Sequence, residues 1–211
     1  CPPMYTDLNK TLTAIGKCLP AGGEVTTGQL HRMYDMTQRL LSQELAVIYD
    51  LETYGLDPAG QEQPTLARRY ASGRSVSGIV TLALEEPLPA MKRLTEAMEE
   101  HWKAMLHAAI SEAAQSTETL PFFERAFVAI EIVTPRGSNN ARVWDTSNRA
   151  IQVILNNLKG IFFHDDDMEH MAFSVVGRWG EGTGKTVIRA FAFAKLQQVW
   201  VDILPSDGPE P

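Results

Sequence analysis

Four aspartates in the second half of the chain are the residues best suited to metal-dependent chemistry. Asp145 precedes a run with apolar residues at spacings of three and four, and Asp165, Asp166 and Asp167 follow that run after Gly160. Carboxylates that converge raise one another's pKa unless a cation lies between them, and hard oxygen ligands suit Mg²⁺ or Mn²⁺. Such an ion activates water and steadies a phosphoryl group. The pattern therefore predicts a metal site formed by these four acids.

The helix between the acids decides whether they can meet. The periodic run predicts about ten helical residues, and such a helix is roughly 15 Å long. Asp145 and the aspartate triplet therefore meet only if the segment after Gly160 folds back along the helix. The alternative is that Asp145 caps the helix and the triplet forms a solvent-exposed turn. His164 and His170 flank the triplet, but with no cysteine nearby their spacing fits no zinc signature.

The order of motifs in this region carries a family resemblance. A strand pattern at Ala126–Val133 leads to Asp-Thr-Ser-Asn at 145–148, then to the helical run, the pair Asp166-Asp167 and a further strand pattern at Met168–Val176. This order resembles the RusA-like family of Holliday-junction resolvases, which has an Asp-x-Asp-Asn loop, a helix with a lysine, an Asp-Asp turn and a strand. Upstream, Ile79–Leu84 and Leu94–Ala114 resemble the first strand and first helix of that family. The resemblance covers about residues 77–194.

The resemblance implies an activity and a partner. It implies a Mg²⁺-dependent (or Mn²⁺-dependent) endonuclease that acts as a homodimer on four-way DNA junctions. Asp145, Asp166 and Asp167 would be catalytic and would hold the ion, with Asp165 as an alternative ligand. The ion would orient a water for attack on a phosphodiester. The expected phosphate contacts are Arg136, Arg142, Arg149 and Lys159.

The chain departs from the family pattern at three points. Ser147 stands where the family has its second aspartate, and Ile151 replaces the helix lysine, or Arg149 does if the register shifts. The segment from helix to turn is one residue longer, so Asp165-Asp166 is an alternative to Asp166-Asp167 as the acidic pair. These departures favour a second hypothesis, a RusA-like module that binds DNA or a protein partner without cleavage.

Composition limits the class of protein. The 211 residues are 44% hydrophobic and 21% charged, with a net charge of −7. No apolar run approaches 18 residues, so we expect no transmembrane helix. Two cysteines, Cys1 and Cys18, make no disulfide framework, so we expect a cytoplasmic protein; a single bridge between the two is the alternative. Residues 135–196 carry eight Lys or Arg and six Asp or Glu, a net of +2 that weakly favours phosphate contacts.

The predicted architecture is α/β (α+β): a RusA-like mixed sheet packed with two helices and preceded by a helical hairpin. The hairpin comprises a helix over residues 4–20 and a second that starts at a Thr26–Gln29 capping box and closes at Gly55. We therefore expect a helical extension over residues 1–56, a linker over 57–76, the α/β domain over 77–204 and a flexible tail over 205–211.

Three smaller features complete the predictions. The linker carries Arg68, Arg69 and Arg74, a basic patch typical of either a nucleic-acid contact or a solvated segment. Glu131 interrupts a strand and is expected to face solvent or to supply an extra metal ligand. The glycine-rich residues 180–186 lack P-loop spacing and predict a hairpin turn between Met171–Arg178 and Thr186–Ala194. After it, residues 196–204 are expected to form another strand or an end piece.

Overall fold

The fold is α+β, as predicted, with helices and a five-stranded mixed sheet. The structure is a computed structural model that describes residues 3–18, 25–54, 65–88, 95–135 and 149–203. The helices are α1 (Pro3–Gly16), α2 (Thr27–Tyr54), α3 (Leu66–Tyr70), α4 (Glu96–Gln115), α5 (Arg149–Leu158) and α6 (Leu196–Ile203). The strands are β1 (Ala71–Val76), β2 (Ile79–Leu84), β3 (Ala126–Pro135), β4 (Met171–Gly180) and β5 (Lys185–Ala192). The chain divides into two compact units, residues 1–66 with 95–101 and residues 67–94 with 102–211.

The first unit contains the predicted helical hairpin. Helices α1 and α2 pack against each other. The capping box starts α2 as expected, because the Thr26 N–H donates to Gln29 Oε1 at 2.8 Å and the Gln29 N–H donates to Thr26 Oγ1 at 3.3 Å. Residues at the start of α4 belong to this unit, and His101 Nδ1 lies 2.7 Å from the Tyr49 hydroxyl. Among the described helices, none is long and apolar enough to cross a membrane.

The second unit is built on a sheet with the order β1-β2-β5-β3-β4. Strands β3 and β4 are parallel, and the other neighbours are antiparallel. A parallel pair needs a crossover connection, and α5 lies in the connection between β3 and β4. The predicted hairpin of β4 with β5 is therefore wrong, because β3 lies between these two strands. The alternation of apolar and polar side chains identified both strands, but it does not show which strands pair with each other.

Each face of the sheet packs differently. The first face packs on α4 and α5 through one continuous core that includes Val128, Ile130 and Ile132 of β3. The alternate residues of β3 form the second face, where Phe127 and Ala129 pack with Phe191 and with Val199 of α6. Residues 196–203 are a helix, whereas the sequence predicted another strand or an end piece. Strand β5 follows the glycine-rich turn directly, which confirms that this turn opens no phosphate-loop helix.

Part of the predicted linker is in fact a helix and an edge strand. Residues 66–76 form α3 and β1, and β1 pairs with β2 along its whole length. Its free edge is covered by α4: the Gly73 N–H donates to Glu112 Oε2 at 3.2 Å and the Ser75 N–H donates to Ser116 Oγ at 2.9 Å. Covering an edge in this way removes unpaired backbone donors. The glycine and serines that suggested a linker therefore allow close contact with α4.

We predict that Gly73→Ala destabilises the protein by about 1–3 kcal/mol, the usual cost of overpacking a close contact. A Cβ at this position would lie 1.8 Å from the carbonyl oxygen of Ala109, so β1 or α4 must move. Urea denaturation measures the change, with Ser72→Ala as the control because the Ser72 side chain is exposed on the same strand. Equal midpoints for the two variants would contradict the close packing.

Candidate functional site

The acidic residues lie in a turn between α5 and β4. Gly160 has φ +76°, a conformation that favours glycine, and it follows the helix end as the sequence predicts. The turn is anchored by Phe162 and Phe163, both fully buried, and the Gly160 N–H donates to the Phe163 carbonyl at 2.7 Å. These contacts keep residues 161–167 at the C-terminal end of α5.

Lys159 supplies a cation to two of the three aspartates. Its Nζ lies 2.6 Å from Asp165 Oδ1 and 3.2 Å from Asp166 Oδ1. The ammonium group, together with the Asp166 N–H, lowers the pKa of Asp165 from 3.8 to about 2. In turn, the hydrogen bonds to Asp165 and Asp166 raise the pKa of Lys159. We call these three residues the Lys159 ion cluster.

Asp167 has a different set of partners. Its Oδ1 accepts the Glu169 and His170 N–H groups at 3.0 Å each and lies 2.8 Å from His170 Nδ1. The His170 side chain and backbone N–H lower the pKa of Asp167. The His164 ring stacks edge-on against Phe122, with ring centroids 4.7 Å apart. Asp167 therefore closes the turn that leads into β4.

The predicted metal site can be followed only in part. The described acids stay near Lys159, so the segment does not fold back along α5 before it reaches them. Within the described residues, no group of three or more His, Cys, Asp and Glu side chains could hold a metal ion. Asp145, Arg136 and Arg142 lie outside the described residues, and so does the side chain of Arg149. Their predicted roles stay predictions, as does the phosphate contact predicted for Lys159.

Glu131 belongs to a second charged cluster on the other side of the sheet. It is 9% exposed, and it shares the second face with Phe127 and Ala129, away from α5. Arg178 Nε donates to its Oε1 at 2.5 Å, and Arg189 Nη1 donates to its Oε2 at 3.0 Å. Burial raises its pKa, but the bonds from the two arginines outweigh burial and leave the pKa below 4.5. Glu131 therefore neither faces solvent nor lies beside the acidic turn, contrary to both expectations.

The arginines of this Glu131 cluster were missed from the sequence, although a signal for them exists. Arg189 alternates with buried Ile188 and Ala190, so β5 places its charge on one face. Arg178 has the same alternate position in β4. The sequence does not give the strand order. Both arginines reach one carboxylate because β3, which carries Glu131, lies between β4 and β5.

Comparison with known proteins adds no assignment. No family model matches the chain, and no curated protein matches it by sequence.

We predict that Lys159→Met raises the pKa of Asp165 from about 2 toward its ordinary value of 3.8, because the variant lacks the ammonium group. Carboxyl ¹³C NMR across a pH titration measures the change. Lys185→Met is the matched control, since Lys185 lies on β5 and not in the acidic turn. An unchanged Asp165 pKa in Lys159→Met would show that the ion cluster does not form in solution.

We predict that Glu131→Gln lowers the free energy of unfolding at pH 7 by about 1.5–3 kcal/mol, the range for hydrogen bonds to charged groups. The pKa of Glu131 is depressed, so its contribution is present above pH 4.5 and is lost as the pH falls through the folded-state value. The difference in unfolding free energy between wild type and variant should therefore become smaller in acid. Urea midpoints across pH test this, with exposed Glu124→Gln as the control. A gap that does not depend on pH would contradict the assignment.

Proposed function

We propose that this chain is a RusA-like module that binds branched DNA without cleaving it. The observation that carries the proposal is the Lys159 ion cluster. The resemblance implies a metal ion at Asp166-Asp167, or at Asp165-Asp166 in the alternative register, and here the ammonium group of Lys159 contacts Asp165 and Asp166. A Mg²⁺ ion on the same two oxygen atoms would lie close to the ammonium, and the like charges would repel.

Two further observations support loss of cleavage. Asp167 Oδ1 accepts the Glu169 and His170 N–H groups and lies 2.8 Å from His170 Nδ1, whereas Lys159 contacts the other two aspartates. In the sequence, Ser147 replaces a family aspartate and no lysine stands at the family's helix position. A scaffold can lose its chemistry and keep its binding surface, because fold and function are separable.

A Mg²⁺-dependent nuclease is the second candidate, favoured by one specific observation. Two ionised carboxylates already converge on a single cation, as a divalent ion requires. If Lys159 moves aside, Asp165 and Asp166 would hold the ion together with Asp145. The ion would orient a water for attack on a phosphodiester.

We predict that the wild-type protein binds a labelled four-way junction in EDTA, without any metal ion, and that neither Mg²⁺ nor Mn²⁺ produces cleavage. Fluorescence anisotropy measures affinity and stoichiometry, and the homodimer implied by the resemblance would bind as two chains per junction. A denaturing gel of the same samples measures cleavage. Asp165→Asn/Asp166→Asn is the test variant, expected to bind within about twofold of wild type because these acids face Lys159.

Three outcomes separate the candidates. Binding without product supports the proposal. Metal-dependent product that is lost in Asp165→Asn/Asp166→Asn would establish the nuclease instead. Failure of the folded wild-type protein to bind any junction at low salt would overturn DNA as the partner.

A further inference from the structure

All charged residues of the five strands lie on one face of the sheet. The strands contain Arg74, Arg178, Lys185, Arg189 and Glu131, and no other Asp, Glu, Lys or Arg. The strand register places each of them opposite the face that packs on α4 and α5. These strand residues, four positive and one negative, contribute a net of +3 to this face, whereas the chain carries −7. We call it the basic sheet face.

Cross-strand pairing brings these residues together. Arg74 lies opposite Thr81 of β2, and Thr81 lies opposite Arg189 of β5. Lys185 and Arg178 flank Val133 of β3 from its two sides. Neighbouring strands are about 4.8 Å apart, so each pair of flanking cations is separated by roughly 10 Å along the sheet.

The Glu131 cluster orients two guanidinium groups at the centre of this face. Each guanidinium has five N–H donors, and Glu131 accepts one bond from each arginine. The side chain of Arg178 is 41% exposed and that of Arg189 is 25% exposed, so N–H donors remain accessible to solvent. Within the described residues, neither Arg74 nor Lys185 forms an ion pair. The face therefore presents two arginines held by Glu131 and two further cations, Arg74 and Lys185, that have no ion-pair partner among the described residues.

We infer that the basic sheet face binds the phosphate backbone of DNA, with Arg178 and Arg189 as pre-oriented donors and Arg74 and Lys185 as flanking charges. This inference rests on the proposed function and names the surface that performs it. Charge complementarity indicates DNA as the partner, because a local excess of cations attracts a polyanion even on a protein with a negative net charge. Guanidinium groups fit phosphate oxygens by bidentate hydrogen bonds.

The surface also explains how an acidic chain would hold DNA. Neutralising a phosphate releases counterions, so affinity depends on the number of local contacts rather than on net charge. Within the described residues, α6 packs on this face at Phe127, Ala129 and Phe191. Arg178 and Lys185 lie on either side of Val133, further along β3.

The experiment measures junction affinity of the full chain across salt concentrations. Arg74→Gln/Lys185→Gln removes the two flanking charges without touching the Glu131 cluster. Each lost phosphate contact reduces the slope of log K against log salt by about 0.9, so for each bound chain we expect a slope smaller by roughly 1.8 and affinity weaker by roughly tenfold. The matched control is Arg32→Gln/Arg39→Gln, which makes the same change in net charge on exposed positions of α2.

The outcomes distinguish this inference from the proposed function. A reduced slope in the sheet variant with an unchanged slope in the α2 control supports the surface. Equal slopes in wild type and sheet variant, with wild-type binding intact, would overturn the surface and leave the proposed function standing. Equal losses in the two variants would show a net-charge effect and also overturn the surface. No wild-type binding would overturn both.

Discussion

The position of β3 between β4 and β5 is the constraint on which the second unit depends. It pairs in parallel with β4 and antiparallel with β5, and its residues are buried on both faces. Because β3 and β4 run in parallel, the chain must cross back between them, and α5 lies in that crossover. The crossover delivers the acidic turn to the start of β4, where the Ala126 N–H donates to the His170 carbonyl at 2.8 Å. The position of the acids thus follows from sheet topology.

The same topology creates two separate charged clusters. On the side of α5, Lys159 forms ion pairs with Asp165 and Asp166 within a turn anchored by buried phenylalanines. On the opposite face, Glu131 joins Arg178 and Arg189, which are far apart in sequence. The first cluster is exposed and contributes mainly to local geometry, because water screens ion pairs at the surface. The second is more buried, and there a carboxylate without its partners would be costly.

Sequence patterns predicted the elements better than their arrangement. Apolar spacing identified α2, α4 and α5, and a capping box located the start of α2, because these signals are local. The hairpin of β4 with β5 was wrong, and β1 was taken for a linker, because strand pairing joins distant residues. Gly73 suggested a flexible segment, although it is needed for close contact with α4. At the acidic turn, residue types predicted a metal site, but the neighbouring Lys159 alters its electrostatics in a way that only the folded turn reveals.

The most direct test of the account is a titration of the wild-type protein with Mn²⁺ alone, followed by electron paramagnetic resonance of the free ion. Because Lys159 already contacts both Asp165 and Asp166, we expect no saturable Mn²⁺ binding by the wild-type chain. Saturable binding that disappears in Asp165→Asn/Asp166→Asn would contradict it, because the carboxylates would then prefer a metal ion to their own lysine.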